Sequence, residues 1–404
     1  MKSIVKNEKK RRLIFLFFCL IFISLCIVAF CDFRVRISAK ADANPSGEQV
    51  LENALKEQLN GLDLDALEKY LETLNVDFGG SLIERIFEYA KGANFDYSGF
   101  GSQMLQVLLK NVADVLPSFV CIAAVALLAG LISAVKNTSS MRTSGDMIAL
   151  ITYAAALIPL LSVLTECFEE ALKGVNSMQT QMQIIYPLLL TLMAASGGTV
   201  SASVCQPAVA FFSNTIVSLI TSVIFPITVA ILVFSMAGNL TNELKIGKFT
   251  AFFKSINKWL IGISVSVFGL FFTLQGITAA SYDGVVKRAV KYAIGNGIPI
   301  VGGFLSGGFD LAVASSMLIK NSLGSMGIVL MISVIFDPLV LLICVNLLLR
   351  LTAAITQPFG ESKIADFLEE TAENLNYFTA GLLFTAFLYF LSIMLMIYST
   401  EALF

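Results

Sequence analysis

The chain has 404 residues, of which 56% are hydrophobic and 14% charged, with 32 phenylalanines and a mean hydropathy of +0.81. That is more apolar surface than a water-soluble core hides, so a soluble globular protein is excluded and an all-α polytopic membrane protein is expected. The sequence holds no histidine, which removes Ser-His-Asp and Cys-His catalysis and every histidine metal site.

At the N-terminus, Lys2, Lys6, Lys9, Lys10, Arg11 and Arg12 precede an apolar run from Leu13 to Phe30, and Ala39-Lys40-Ala41 offers a small-x-small cleavage site. Residues 1–41 therefore read as a secretory signal peptide, with an uncleaved anchor as the alternative. Removing them takes away 9 Lys/Arg and 2 Asp/Glu and shifts the formal charge from −2 to −9. Such an acidic mature chain makes nucleic acid an unsuitable partner. Cys19, Cys26 and Cys31 lie in or beside this leader, and no CxxC pair occurs anywhere, so neither a zinc site nor a disulfide framework is indicated.

Residues 42–111 are different in kind, with ten acidic and four basic residues between Glu48 and Lys91. Leu62, Leu67, Leu71 and Leu74, then Ile83, Ile86 and Phe87, recur at three- and four-residue steps and predict short amphipathic helices. The segment reads as an acidic helical extracytoplasmic region, whose stripe either docks on the membrane domain or binds a partner.

The membrane domain, 112–404, carries apolar runs at about 112–135, 147–168, 182–204, 208–237, 259–281, 297–319, 325–349 and 378–398. They predict seven to eight spans, one or two of them broken or re-entrant. The irregular two are the third, with Pro187 and Ser196-Gly197-Gly198, and the sixth, where Gly295, Gly297, Pro299, Gly302, Gly303, Gly307 and Gly308 crowd before Asp310. A break between Gly295 and Gly308 is expected, with Asp310 in the first turn after it, where a carboxylate suits the helix dipole. Segments around 248–259 and 285–291 mix aromatic or aliphatic residues with lysines and read as helices lying in the headgroup plane. The acidic stretch with Ile364, Phe367, Leu368 and Leu375 reads as facing protein. The basic segments fall on sides that leave the orientation open.

Ser196-Gly197-Gly198 recurs as Ser306-Gly307-Gly308, and Phe225-Pro226 has an echo in Phe336-Asp337-Pro338. These correspondences suggest an inverted repeat of 147–237 and 259–349, as in many transport folds.

Asp310 and Asp337, the latter followed by Pro338, are intramembrane carboxylates and hence candidates for transport or gating; the competing role is structural hydrogen bonding. Tyr282-Asp283 and Gly307-Gly308-Phe309-Asp310 bear only a faint likeness to intramembrane aspartyl protease motifs, because Phe309 replaces the glycine beside the aspartate. No Walker sequence is present, so energy for active transport comes from an ion gradient or another subunit. No cofactor is indicated and the chain is not expected to be an enzyme.

The signal-like N-terminus, the short acidic region, "PLLLTLMAASGG" at 187–198, "KRAVKYAIGNGIPIVGGFLSGGFD" at 287–310 and "DPLVLL" at 337–342 together resemble the stage III sporulation protein AE family of endospore-forming bacteria. The resemblance runs from residue 45 on and is most specific over 287–324. It implies a multi-pass protein of the mother-cell membrane surrounding the forespore, a subunit of the channel or secretion-like complex needed after engulfment. It also implies other membrane and ring-forming subunits and a separate ATPase as partners. It brings no catalytic residues. The alternative function is a self-sufficient secondary transporter or permease, resting on the repeat and the two aspartates.

Overall fold

The computed structural model describes residues 45–74, 82–90, 97–136, 142–240, 246–271, 302–359 and 362–398, and every regular element among them is helical. The expected signal peptide, the 285–291 segment and Pro299 lie outside the described residues. Three short helices, α1 (Pro45–Asn60), α2 (Asp65–Thr73) and α3 (Leu82–Ala90), lead into long ones. These are α4 (Tyr97–Lys136), α5 (Arg142–Ala195), α6 (Thr199–Leu219), α7 (Phe225–Leu240), α8 (247–271), α9 (Gly302–Thr356) and α10 (Ser362–Tyr398).

Side-chain contacts fix the direction of each. α5 and α10 run in parallel, since Tyr153 meets Phe367, Phe168 meets Phe378 and Tyr186 meets Tyr389, at ring separations of 5.3, 5.9 and 5.7 Å. α9 runs opposite to both: Gly324 lies against Ile397, Gly327 against Ile393 and Ile185, and Gly174 against Pro338 and Leu382. α6 and α7 return along α5, with Gln179 Nε2 donating to Asn214 Oδ1 at 3.1 Å near one end and the Tyr153 hydroxyl donating to the Met236 carbonyl at 3.1 Å near the other. α8 then descends beside α7 and α10, through Phe234–Phe253 stacking at 5.5 Å, a Lys254–Glu370 ion pair at 2.8 Å and a Phe268–Phe384 edge contact at 6.4 Å. Only residues 137–141 join α4 to α5, so α4 runs antiparallel to α5. With α6 and α7 continuous through residues 220–224, the long rods alternate in direction.

Small residues let these helices approach closely. A Cβ on Gly324 would stand 2.6 Å from Ile397 Cδ1, and one on Gly381 would stand 2.6 Å from Phe225 Cε1. Where α6 passes into α7, Ile220–Ile224 forms a π turn. Its cause is Pro226, which has no N–H for the carbonyl four residues earlier and crowds it, so the helix widens just upstream. Asn257 Nδ2 of α8 donates to the Ile224 carbonyl at 3.3 Å and to Thr228 Oγ1 at 2.9 Å, satisfying groups at this irregular point.

The expected break at Ser196-Gly197-Gly198 is present as a tight turn. Gly197 has φ 91°, the Gly198 N–H bonds the Met193 carbonyl and the Gly197 N–H bonds the Ala194 carbonyl, each at 3.0 Å. This is the Schellman closure of α5, and Ser196 Oγ adds a bond to Met193 O at 2.9 Å.

Several expectations are corrected. Runs 147–168 and 182–204 are not separate spans joined by a loop; α5 is one helix of 54 residues that ends at Ala195, inside the second run. The intervening residues stay helical because Cys167, Ala171, Val175, Met178, Met182, Ile185 and Leu189 form one buried stripe at three- and four-residue steps. Residues 302–319 of one run and the whole of the run 325–349 likewise share α9, of 55 residues and about 82 Å. The helical segment 248–258 does not lie apart in the headgroup plane; it is the first half of α8, anchored to α10 by Lys254–Glu370. The boundary expected at 111/112 falls inside α4. Among the described residues, four helical stretches are long and apolar enough to cross a membrane: Leu105–Val125, Thr199–Gly238, Asp310–Thr356 and Ile364–Tyr398.

The short N-terminal helices dock on the bundle. Leu55, Leu59, Leu67, Leu71, Leu82 and Ile86 are buried, and Gln58 Nε2 donates to the Ala312 carbonyl of α9 at 3.1 Å while Ser316 Oγ donates to Gln58 Oε1 at 3.0 Å. On α10, Ile364, Phe367, Leu368 and Leu375 are buried, as a protein-facing stretch requires.

Candidate functional site

The residues singled out in the sequence do not converge. Asp310 and Asp337 lie on the same continuous helix, 27 residues and hence about 40 Å apart, so they form no common site. Gly302, Gly303, Gly307 and Gly308 sit inside the first turns of α9, which is unbroken from Gly302 onward; the 295–301 part of the expected break lies outside the described residues. Asp310 is therefore the ninth residue of α9 and not in its first turn. Ser306-Gly307-Gly308 is helical where Ser196-Gly197-Gly198 turns, so this pair does not carry the proposed repeat into three dimensions.

Asp337 does have company. Its Oδ1 accepts a hydrogen bond of 2.7 Å from Asn111 Nδ2 of α4, and its neighbour Pro338 is buried against Gly174 of α5 and close to Leu382 of α10. One turn beyond Asn111 is Asp114, which lies within electrostatic range of Glu166 on α5, as do Glu169 and Glu170. Carboxylates of α4 and α5 thus face the groove between these two helices, with Lys173 paired to Glu170 at 3.2 Å and Lys110 exposed on α4 one turn before Asp114.

The groove opens onto a longer feature. From Ser162 the outward face of α5 is polar: Ser162, Thr165, Glu166, Glu169, Lys173, Asn176, Thr180, Gln183 and Thr191 are all exposed. Their three- to four-residue spacing keeps most of them on one stripe, and Glu166 to Thr191 extends about 38 Å. Asn214, which accepts from both Gln179 and Gln183, joins this stripe to α6, where Ser203, Gln206 and Ser218 are exposed.

Depth gives the stripe its meaning. Gly174, Pro338 and Leu382 touch at one level, which Asn111–Asp337 and Phe268–Phe384 extend to α4 and α8. α9 and α10 both have spanning character at that level. Near it the surface of α8 is apolar, with Val267 and Leu270 at least half exposed, and α4 exposes Leu105 and Leu109 on one side and Gln106, Lys110 and Asp114 on another, whereas α5 presents Lys173, Asn176 and Thr180. Hydrocarbon suits the α8 surface and not that of α5, since exposed charges and amides at bilayer depth require water or protein.

Sequence reasoning missed this stripe because residues 169–181 fell between two predicted spans and were given no role. It also missed a buried polar group at the far end of the bundle. Lys320, which lies between two predicted spans, is fully buried and donates from Nζ to the Ile397 carbonyl at 2.8 Å, holding the C-terminal turn of α10. Nearby, Tyr70 of α2 donates to the Ser177 carbonyl at 3.4 Å, and burial pushes its hydroxyl up to about 12. The Tyr186 and Tyr389 rings pack edge to face, and both hydroxyls lack a hydrogen-bond partner among the described residues. These buried groups were not legible, because nothing in the local sequence shows which distant carbonyl or ring meets them.

An alternating bundle with four stretches fit to cross a bilayer defines a helical protein of membrane-spanning character. Residues 81–400 match the family described as Stage III sporulation protein AE, and the chain belongs to that family. Stage III sporulation protein AE of Bacillus subtilis (strain 168) is 24% identical over 371 residues, which cover 90% of this chain and 92% of the relative. No solved structure matches. Family membership supports a role in sporulation.

Proposed function

We propose that this chain is a multi-pass, non-enzymatic subunit of the complex joining mother cell to forespore after engulfment, and that its α5–α6 face borders the conducting path. The observation that carries the reading is the exposed polar stripe of α5 lying beside helices of spanning character. A subunit surrounded by lipid has no use for such a face; a subunit bordering an aqueous path requires one. Other membrane and ring-forming subunits complete the path, and a separate ATPase supplies energy. The mature chain starts near Asp42 in the membrane surrounding the forespore, with its docked N-terminal helices outside the mother-cell cytoplasm. Asp337 joins the lining through its hydrogen bond from Asn111 of α4, and Asp310 marks the extended end of α9 beside the docked helices.

The test uses substitutions that leave the buried core untouched. Asn176, Thr180 and Gln183 are replaced together by leucine in the native host, and Val267 and Leu270 by alanine as the control on the apolar side. The triple variant is expected to accumulate in the membrane at normal level yet stop sporulation after engulfment, while the control sporulates. Normal sporulation by the triple variant overturns the reading.

A further inference from the structure

The outer face of α8 meets a different solvent. It exposes Phe252, Trp259, Ile263 and Leu270 on one stripe, at seven-, four- and seven-residue steps, with Phe249 and Val267 beside it. Trp259, the one tryptophan of the sequence, is 66% exposed, and Lys248 and Lys258 are exposed on the same half of the helix. Packing fixes their depth. α8 runs parallel to α10 in a single register, since Lys254–Glu370 and Phe268–Phe384 are separated by the same 116 residues. The spanning stretch Ile364–Tyr398 is centred on Gly381, next to the Leu382–Gly174–Pro338 contact, so the middle of a bilayer falls at that level and Phe268 lies near it. Along the axis Val267 and Leu270 are then within about 3 Å of Phe268, Ile263 about 8 Å away and Trp259 about 14 Å away. The Lys254–Glu370 pair is about 21 Å out, and Phe252 and Phe249 about 24 and 28 Å. Hydrocarbon ends about 15 Å from the centre of a bilayer and the headgroup layer about 20–22 Å from it. Trp259 falls on the first boundary, and the two phenylalanines at and just beyond the second.

We infer that this face of α8 is an interfacial anchor whose partner is the bilayer itself, with Trp259 seated at the boundary between acyl chains and headgroups. The chemistry at each depth agrees. Ile263, Val267 and Leu270 offer hydrocarbon to hydrocarbon, and the exposed Ser266 hydroxyl among them is turned back on the helix, donating to the Gly262 carbonyl at 2.8 Å. An indole presents an apolar ring and a single N–H, which suits a boundary with acyl chains on one side and ester and phosphate oxygens on the other. Lys258, next to it, has a stem long enough to carry its ammonium outward to the phosphates. Further out, the charge of Lys254 is met by Glu370 on the bundle side. A protein surface has no need for aliphatic, indole and charged groups to follow one another in bilayer order; a membrane does. The anchor holds α8 at a fixed depth, and with it α10, through Lys254–Glu370 and Phe268–Phe384. It concerns α8 alone and stands whether or not α5 borders a path.

The experiment uses the full chain reconstituted in lipid nanodiscs, where the single tryptophan makes intrinsic fluorescence a report on residue 259 alone. Nanodiscs of phosphatidylcholine brominated near the headgroup end of its acyl chains are compared with nanodiscs brominated near the methyl end. The headgroup-end bromines are expected to quench Trp259 more strongly. In a second chain, Trp259→Phe is combined with Leu270→Trp, which moves the reporter to the midplane on an exposed position, and there the order should reverse. Stronger quenching of Trp259 by the methyl-end bromines overturns the boundary placement. The same order at 259 and at 270 overturns the depth assignment. Quenching of Trp259 by aqueous iodide, with none from either lipid, shows a face bare of lipid, as a docking surface for a protein partner would be, and overturns the anchor outright.

Discussion

The contact of Gly174 with Pro338 and Leu382 is where three helices meet, and it yields a quantitative prediction. A Cβ on Gly174 would lie 2.9 Å from Pro338 Cγ and 3.0 Å from Leu382 Cδ1, against an ordinary contact limit of 3.4 Å. The proline ring is rigid and fixed to α9, so Gly174→Ala must part α5 from α9 by about half an ångström. Overpacking of this kind costs about 1–3 kcal/mol. Glycine to alanine in a helix also gains about 1 kcal/mol of propensity, which would blur the result. Gly262 of α8 provides the correction, because a Cβ there meets nothing within 4 Å. The difference between Gly174→Ala and Gly262→Ala then isolates the clash, at about 1–3 kcal/mol. Pro338→Ala removes Cγ and leaves the Cβ at an ordinary 3.5 Å, so it should recover at least half of that difference in a double-mutant cycle. Denaturation of the purified chain in detergent, followed by helical signal, supplies the measurement. If Gly174→Ala is tolerated as well as Gly262→Ala, or if Pro338→Ala does not change its cost, the packing level on which the depth argument rests is wrong.

Gly197→Ala should cost about 1 kcal/mol or more in the same assay, because φ 91° is open to glycine and strained for alanine. Tyr389→Phe should be neutral or stabilising by up to about 1 kcal/mol, since it removes a buried hydroxyl without a partner among the described residues, whereas loss of the ring in Tyr389→Ala should cost about 3–5 kcal/mol. Asn257→Leu should destabilise by about 0.5–1.5 kcal/mol, because its bonds to the Ile224 carbonyl and Thr228 hydroxyl are lost while the Thr228 hydroxyl still donates to that carbonyl at 2.8 Å, and hydrogen exchange should rise first around the π turn.

How much of this could be read from the sequence depends on the range of the signal. The buried stripes of α2 and α3, at Leu67, Leu71 and Ile86, were legible because a helix core repeats every three to four residues. So was the turn at Gly197, because a Ser-Gly-Gly run ends a helix by local backbone geometry alone. Hydropathy failed at 169–181 because it averages over all sides of a helix, so a polar outer face hid an apolar inner stripe from Ala171 to Met182; the burial of Lys320 was not legible because its partner is a carbonyl 77 residues away. Asp337 stands out in the sequence as a carboxylate within an apolar run, yet its partner Asn111 lies 226 residues earlier, beyond any local pattern.

The central claim is that the α5 stripe sits at bilayer depth without touching lipid. Spin labels placed singly at Asn176, Thr180 and Gln183, and at Leu105, Leu109 and Leu270 for comparison, can be read in the full-length chain reconstituted in lipid nanodiscs. Collision rates with oxygen, which concentrates in hydrocarbon, are compared with those of a water-soluble nickel chelate. Chelate-dominated relaxation on α5, with oxygen-dominated relaxation on α4 and α8, is the predicted result. Oxygen-dominated relaxation at Asn176, Thr180 and Gln183 would contradict the account, as would chelate-dominated relaxation at all six positions.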